Sequence, residues 1–370
     1  MNEITVSTIP SLSINKTADM LTDAYSSLIE SSLPFKTFPS VMLWGAPGVG
    51  KSQCIRQIAK NIEDRTSKKV VVTDVRLLLF NPIDLRGIPT ANAEKTLAIW
   101  LKPQIFNMDS SEDIVNILFL DEISAAPQSV QAAAYQITLD RVIGEHKLPE
   151  NCIVIAAGNR VTDKSVAFKM PRALANRLCH IEISAEFDSW RSWAVKTGIH
   201  QKVIGFLAFS QKHFIDESKS ESLAYATPRS WEMVSNILNN INDDVKKVYP
   251  LVAGCVGTGA AVEFKTWCEI YNQLPDIKEI FSGNYTNIPK RADVMYALVT
   301  AMISYASKHR KNIAEIENSI TYALRFPPEF STFMLKSYMD ISEGFKSKLM
   351  DIPAFYRWLQ TNGRFFVNDN

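Results

Sequence analysis

Leu21, Tyr25, Leu28 and Ile29 recur at helical spacing, which predicts an amphipathic helix over about residues 15–31. Beyond it, short apolar runs alternate with helical segments as far as about residue 185. The runs at 41–44, 70–73, 117–120, 153–157 and 180–184 read as strands. Strands and helices in alternation predict an α/β fold, a parallel sheet with crossover helices. Between the third and fourth strands, Val130, Ala133, Ala134 and Ile137 share one face of a helix over 127–140, with Pro127 suited to its first turn. Residues 142–148 then read as a hairpin turning on Gly144-Glu145.

Past residue 185 strand signals fade and helical spacing takes over. Helices are expected at about 188–197, 200–212, 228–241, 243–255 and 259–273. Asp188 is placed to cap the first of these and Gly198 to stop it. Residues 275–290 carry Pro275, Gly283, Asn284, Asn287 and Pro289 and read as a loop. From Lys290 onward the chain reads as helix, interrupted at Pro327-Pro328 and Pro353. The pattern gives three parts: an α/β core with its N-terminal helix over 1–185, an all-α domain over 186–274 and a helical C-terminal extension over 275–370. No internal repeat or low-complexity tract is visible.

The chain is 370 residues long, enough for two or three domains with real cores. A formal net charge of +1 gives no global field toward nucleic acid or anionic lipid. The basic run Lys308-His309-Arg310-Lys311 reads as the solvated face of a helix. Residues 1–5 lack the layout of a signal peptide, and no stretch approaches the roughly 20 apolar residues of a membrane span. The five cysteines stand far apart without a C-x-x-C pair. That argues for reduced core thiols, and so for a cytoplasmic protein, rather than a zinc ribbon or disulfide framework.

The sharpest chemical signal is Gly45-Ala46-Pro47-Gly48-Val49-Gly50-Lys51-Ser52, which matches G-x-x-x-x-G-K-[ST] between an expected strand and an expected helix. Glycines let backbone amides close around a phosphate, and the helix start adds partial positive charge. Lys51 would reach the β- and γ-phosphates, and the Ser52 hydroxyl would ligate Mg²⁺. The apolar run at 117–120 ends in Asp121-Glu122, two carboxylates at the end of a strand where ligands of parallel sheets sit. Asp121 suits the Mg²⁺ shell and Glu122 suits activation of an attacking water.

Three further positions join them. Asn159 follows the strand at 153–157 and either orients the water and terminal phosphate or simply makes the turn after a strand. Arg172 and Arg177 precede the last strand, where a guanidinium could meet transition-state charge or form a surface ion pair. Thr227-Pro228-Arg229 starts a helix, with Thr227 as cap and Pro228 at its first position. Arg229 there either reaches a nucleotide or is solvated.

Together these residues resemble an AAA+ ATPase, and within that class the MoxR-like branch, over about residues 15–270. The resemblance implies an AAA+ core with a parallel sheet flanked by helices, an all-α lid at 186–274 and a helical extension. It makes Lys51 and Ser52 the Walker A residues, Asp121 and Glu122 the Walker B pair, Asn159 sensor 1 and Arg229 sensor 2. Arg177 matches the arginine finger lent to a neighbouring subunit, although Leu178 follows it where the family usually has Phe. Arg172 is the other candidate for that finger. Residues 81–103 occupy the place of the family's helix insert, and 142–148 that of its hairpin before sensor 1.

The implied cofactors are ATP and Mg²⁺, and the implied assembly is a homo-hexameric ring. The implied activity is ATP hydrolysis that remodels a protein partner bearing a von Willebrand factor A domain, with no membrane role. A nucleic-acid motor or restriction-type translocase is a second possibility, which the near-zero net charge counts against. A third is an ATP-gated scaffold with little turnover, which would have no need of the Glu122 base. Phe355, Trp358, Phe365 and Phe366 either form a docking face or pack in a core.

Overall fold

The structure, a computed structural model, describes residues 9–160, 170, 175–216 and 222–362. Arg172, Phe365 and Phe366 lie outside them. The described residues fall into two compact units, one reaching to Glu186 and the other starting at Phe187.

In the first unit, β1 (Ser11–Ser13) leads straight into α1 (Ile14–Glu30), whose start is capped by the Ser13 hydroxyl. Next come β2 (Val41–Trp44), α2 (Lys51–Thr66) and β3 (Lys69–Arg76). A short α3 (Pro82–Arg86) precedes a two-stranded hairpin, β4 (Ile88–Ala91) and β5 (Ala98–Leu101). The chain continues through β6 (Ile114–Asp121), α4 (Gln128–Asp140), the small hairpin β7 (Val142–Ile143) and β8 (His146–Lys147), β9 (Cys152–Gly158) and β10 (Cys179–Ser184). Six strands form one all-parallel sheet in the order β1-β10-β2-β9-β6-β3.

Period-two alternation explains why the central strands are apolar throughout. Val41 and Leu43, Ile117 and Phe119, and Ile153 and Ile155 face a core shared with α1 and α2. Met42, Leu118, Leu120, Val154 and Ala156 face the opposite core, shared with α4 through Val130, Ala133, Ala134 and Ile137. A sheet buried on both faces needs apolar residues at every position, which is the pattern of a parallel sheet between helices.

The second unit is helical throughout its described residues. It comprises α5 (Phe187–Thr197), α6 (Gln201–Phe209), α7 (Pro228–Asn240), α8 (Val245–Val256) and α9 (Thr258–Cys268). Then follow α10 (Ile277–Phe281), α11 (Ala292–His309), α12 (Ile313–Ala323), α13 (Pro328–Ile341), α14 (Glu343–Met350) and α15 (Pro353–Asn362). Phe206, Trp231 and Phe264 pack edge-on or tilted with centroids 5.2–5.5 Å apart. Phe355 and Trp358 lie inside a separate apolar core with Leu298, Met302 and Tyr338, so they are packing residues and not a docking face.

Several local expectations need correcting. Asp188 lies in the first turn of α5 rather than before it, because the helix already starts at Phe187. Pro127 stands at the N-cap of α4, one place ahead of the first turn. The helix expected to reach residue 212 ends at Phe209, and residues 211–213 form a tighter 3₁₀ turn. The loop at 275–290 contains α10, started by the Asp276 side chain accepting from the Lys278 amide. Thr227 caps α7 with Pro228 at its first position, and Gly198 sits past α5 at φ 77°, both as read. All five cysteines are free thiols, and burial pushes those of Cys54 and Cys152 up to about 12. Among the described residues no helix is long and apolar enough to cross a membrane.

Candidate functional site

The loop between β2 and α2 is shaped by two left-handed glycines, Gly48 at φ 80° and Gly50 at φ 103°. A Cβ on Gly50 would come within 2.6 Å of Ile14 Cδ1, the movable end of a side chain, so it is the left-handed backbone that disfavours a larger residue there. α2 then begins at Lys51 with no side chain capping its first turn. Its leading amides are therefore available to an external anion, as a phosphate-binding helix start requires.

β9 lies between β2 and β6, so the carboxyl ends of three neighbouring strands come together beside this loop. The Lys51 ammonium donates to the carbonyls of Gly45 at 2.6 Å and Ala46 at 3.1 Å, and to Asn159 Oδ1 at 2.8 Å. The Ser52 hydroxyl donates to Asp121 Oδ2 at 3.3 Å. Residues far apart in sequence thus converge, each delivered by the end of a strand or the start of a helix.

Asn159 is positioned from behind. Its backbone N–H donates to Ser124 Oγ at 2.9 Å, and Ile123 N–H donates to the Ala157 carbonyl at 2.9 Å. Gly158 makes this approach possible, because a Cβ there would meet Ser124 Oγ at 2.8 Å and Met42 Cε at 2.9 Å. Ser124 is a positioning residue that reading along the sequence missed; nothing in its local pattern marks it.

Glu122 takes a left-handed conformation at φ 58°, unusual for a residue with a side chain. Asp121 Oδ1 accepts from the Glu122 amide at 2.9 Å, which fixes the bend immediately after the strand. Among the described residues the Glu122 carboxylate has no hydrogen-bond or ion-pair partner. Asp74, on the edge strand β3, is a second residue missed from sequence. Partial desolvation and then the nearby Asp121 charge push its carboxyl above the ordinary range.

The donor set suits Mg²⁺. Ser52 and Asp121 offer hydroxyl and carboxylate oxygens, the hard ligands that ion selects. Two protein oxygens leave the rest of an octahedral shell to phosphate and water, which is how the ion binds nucleotides. One anticipated residue of the same unit does not join this cluster. Arg177 is exposed just before β10, near Ser40 and therefore at the opposite end of β2 from the loop. Arg229 is exposed in the first turn of α7, in the helical unit.

Residues 41–184 match the profile of the family described as "ATPase family associated with various cellular activities (AAA)". No curated protein matches the chain. Solved structures similar to it include a protein described as an ATPase from Cytophaga hutchinsonii, 14% identical, covering 90% of this chain and 79% of that one with a TM-score of 0.32. A Thermotoga maritima RuvB mutant is 14% identical, covering 78% and 81% with a TM-score of 0.34. NtrX from Brucella abortus in complex with ATP is 13% identical, covering 95% and 67% with a TM-score of 0.36. Likeness at this level says nothing by itself about activity. The glycine loop, the Asp121-Glu122 pair and Asn159 all fall inside residues 41–184, the part of the chain that is similar to the AAA ATPase family.

Proposed function

We propose that the protein is an ATP-hydrolysing AAA+ ring protein of MoxR type, coupling hydrolysis to remodelling of a protein partner. One observation carries this reading. Lys51 is bonded to Asn159 and Ser52 to Asp121, around a helix start that no side chain caps.

Each residue then has a role. The amides of residues 45–52 cradle the β- and γ-phosphates, and Lys51 exchanges its loop carbonyls for phosphate oxygens. Ser52 and Asp121 hold Mg²⁺, which when bound neutralises phosphate charge. Glu122 accepts a proton as the water oxygen bonds to the γ-phosphorus and the bond to the ADP oxygen breaks. Asn159, held through Ser124, orients that water. Arg177 cannot serve its own loop from the far end of β2, which supports its use by a neighbouring copy and hence a ring, in our reading a hexamer. Arg229 reads the nucleotide from the helical unit.

The partner, a protein bearing a von Willebrand factor A domain in the cytoplasm, would meet the moving inserts at 81–103 and 142–148. Exposed Ile88, Leu97 and Leu101 on the first insert give apolar surface for that contact. Phosphate release tests the reading. Lys51→Ala abolishes it, and Glu122→Gln still binds ATP while turnover falls about 100-fold or more. A Glu122→Gln protein as fast as the parent would remove Glu122 from the mechanism.

A further inference from the structure

Arg160, the residue after Asn159, donates from Nη1 to the Glu182 carboxylate on β10. Strand register fixes what this ion pair crosses. Trp44, the last residue of β2, is paired with Gly158 on β9 and with Glu182 on β10. Because β2 lies between those strands, the pair spans two strand spacings, about 10 Å between backbones, which suits a long side chain. The bridge therefore crosses the end of β2 beside Gly45, where the phosphate loop begins. Trp44 is tied to β10 as well: its Nε1 donates to His180 Nδ1 at 2.8 Å, and His180 Nε2 donates to the Ala175 carbonyl at 2.7 Å. With the end of β2 held to β10, Arg160 adds the continuation of β9 to the same frame. The Glu182 side chain is 13% exposed and that of Arg160 38%, so water screens the pair less than it screens an ion pair on the open surface.

We propose that Arg160 is a positioning residue: through Glu182 it fixes the backbone after β9, so that the Asn159 side chain stays aimed at the terminal phosphate and the attacking water. The inference rests on the ATPase reading above. Asn159 stands between two anchors. Its N–H is held by Ser124 Oγ, which fixes the peptide entering the residue. The φ and ψ of Asn159 are the soft dihedrals that remain, and they are set only when the following residue is held too. Arg160 supplies that second hold, and its guanidinium stays charged at any working pH. Asn159 Oδ1 meets Lys51 at 2.8 Å, so a shift of this turn reaches the site directly. A displacement of about 1 Å in an orienting group costs on the order of 100-fold in rate, and a partial loosening correspondingly less.

Steady-state phosphate release from ATP tests this in the full chain. Arg160→Gln is expected to lower kcat about tenfold while KM for ATP moves less than about twofold, because the loop amides and Lys51 still bind the phosphates. In an Asn159→Ala background the same substitution should cost nothing further, since it acts through Asn159. A parental kcat for Arg160→Gln, or losses that multiply in the double variant, overturns the proposal. A raised KM with kcat unchanged also overturns it, because the pair would then support nucleotide binding alone. A parent protein that releases no phosphate at all overturns the ATPase reading first, and this inference with it, a distinct pattern.

Should Arg160→Gln lose its thermal transition, Glu182→Asp decides. That variant keeps the charge and draws the carboxylate back by one methylene. Its kcat should fall severalfold at constant KM, and a parental kcat overturns the proposal.

Discussion

Inside the sheet unit, polar side chains gather where strands end; inside the helical unit, they lie between helices. Lys51 bonds Asn159 and Ser52 bonds Asp121, yet the helix start beside them has no side-chain cap and, among the described residues, the Glu122 carboxylate has no partner. Arg191 of α5 is different. It is buried, donates to Ser337 at 2.7 Å and Asp340 at 3.2 Å, and lies 5.6 Å from the centre of the Phe333 ring. Those three partners all belong to α13. The first group retains capacity for a ligand, while the second spends its capacity holding α5 to α13. A buried polar cluster is a candidate site only when its bonding is incomplete from within.

Mutation should separate the two kinds of cluster. The largest effect is expected from Glu122→Gln, whose loss of turnover amounts to about 3–5 kcal/mol in the activation barrier while the melting temperature stays put. A melt lowered as much as the rate would erase the distinction. Arg191→Met should do the reverse, costing about 3 kcal/mol in urea unfolding because Asp340 is left without its cation. An unchanged midpoint would mean that α5 and α13 hold together by apolar packing alone.

The next effect concerns pH. His200 accepts from the Lys202 amide at Nδ1 and approaches Asp243 at 3.1 Å through Nε2, a pattern that a neutral ring satisfies. Burial outweighs the Asp243 charge and lowers its pKa from 6.5 to about 4. The unfolded chain then binds the extra proton first, so stability is full above pH 6.5 and falls as pH drops toward 4. The loss is about 2–3 kcal/mol, and His200→Gln should flatten it. Equal melts at pH 7 and pH 5 in the parent would contradict this. Smallest is Gly158→Ala, expected to cost about 1–2 kcal/mol through its clash with Ser124 and Met42 and to slow turnover by displacing Asn159. A variant with parental stability and rate would mean that Ser124 does not position Asn159.

The central strands were legible because burial on both faces makes each an unbroken apolar run flanked by turn residues. Helix starts were legible where a cap such as Thr227 is local. β1 was not, since Ser11-Leu12-Ser13 has one apolar residue and becomes a strand only by pairing with β10. β4 and β5 were hidden for a related reason: both carry exposed apolar residues, so no alternation separates an inside from an outside. At the site, Lys51, Ser52 and the Asp121-Glu122 pair announce themselves by spacing. Asp74 and Ser124 do not, because strand register and a turn bring them in, and no short window of sequence encodes either.

Ile14 presses against Gly50, and it is joined directly to the three-residue edge strand that precedes it. Traction on the chain upstream of that strand would therefore be transmitted to the last glycine of the phosphate cradle. β1 and Ile14 in this sense brace the glycine loop from the edge of the sheet.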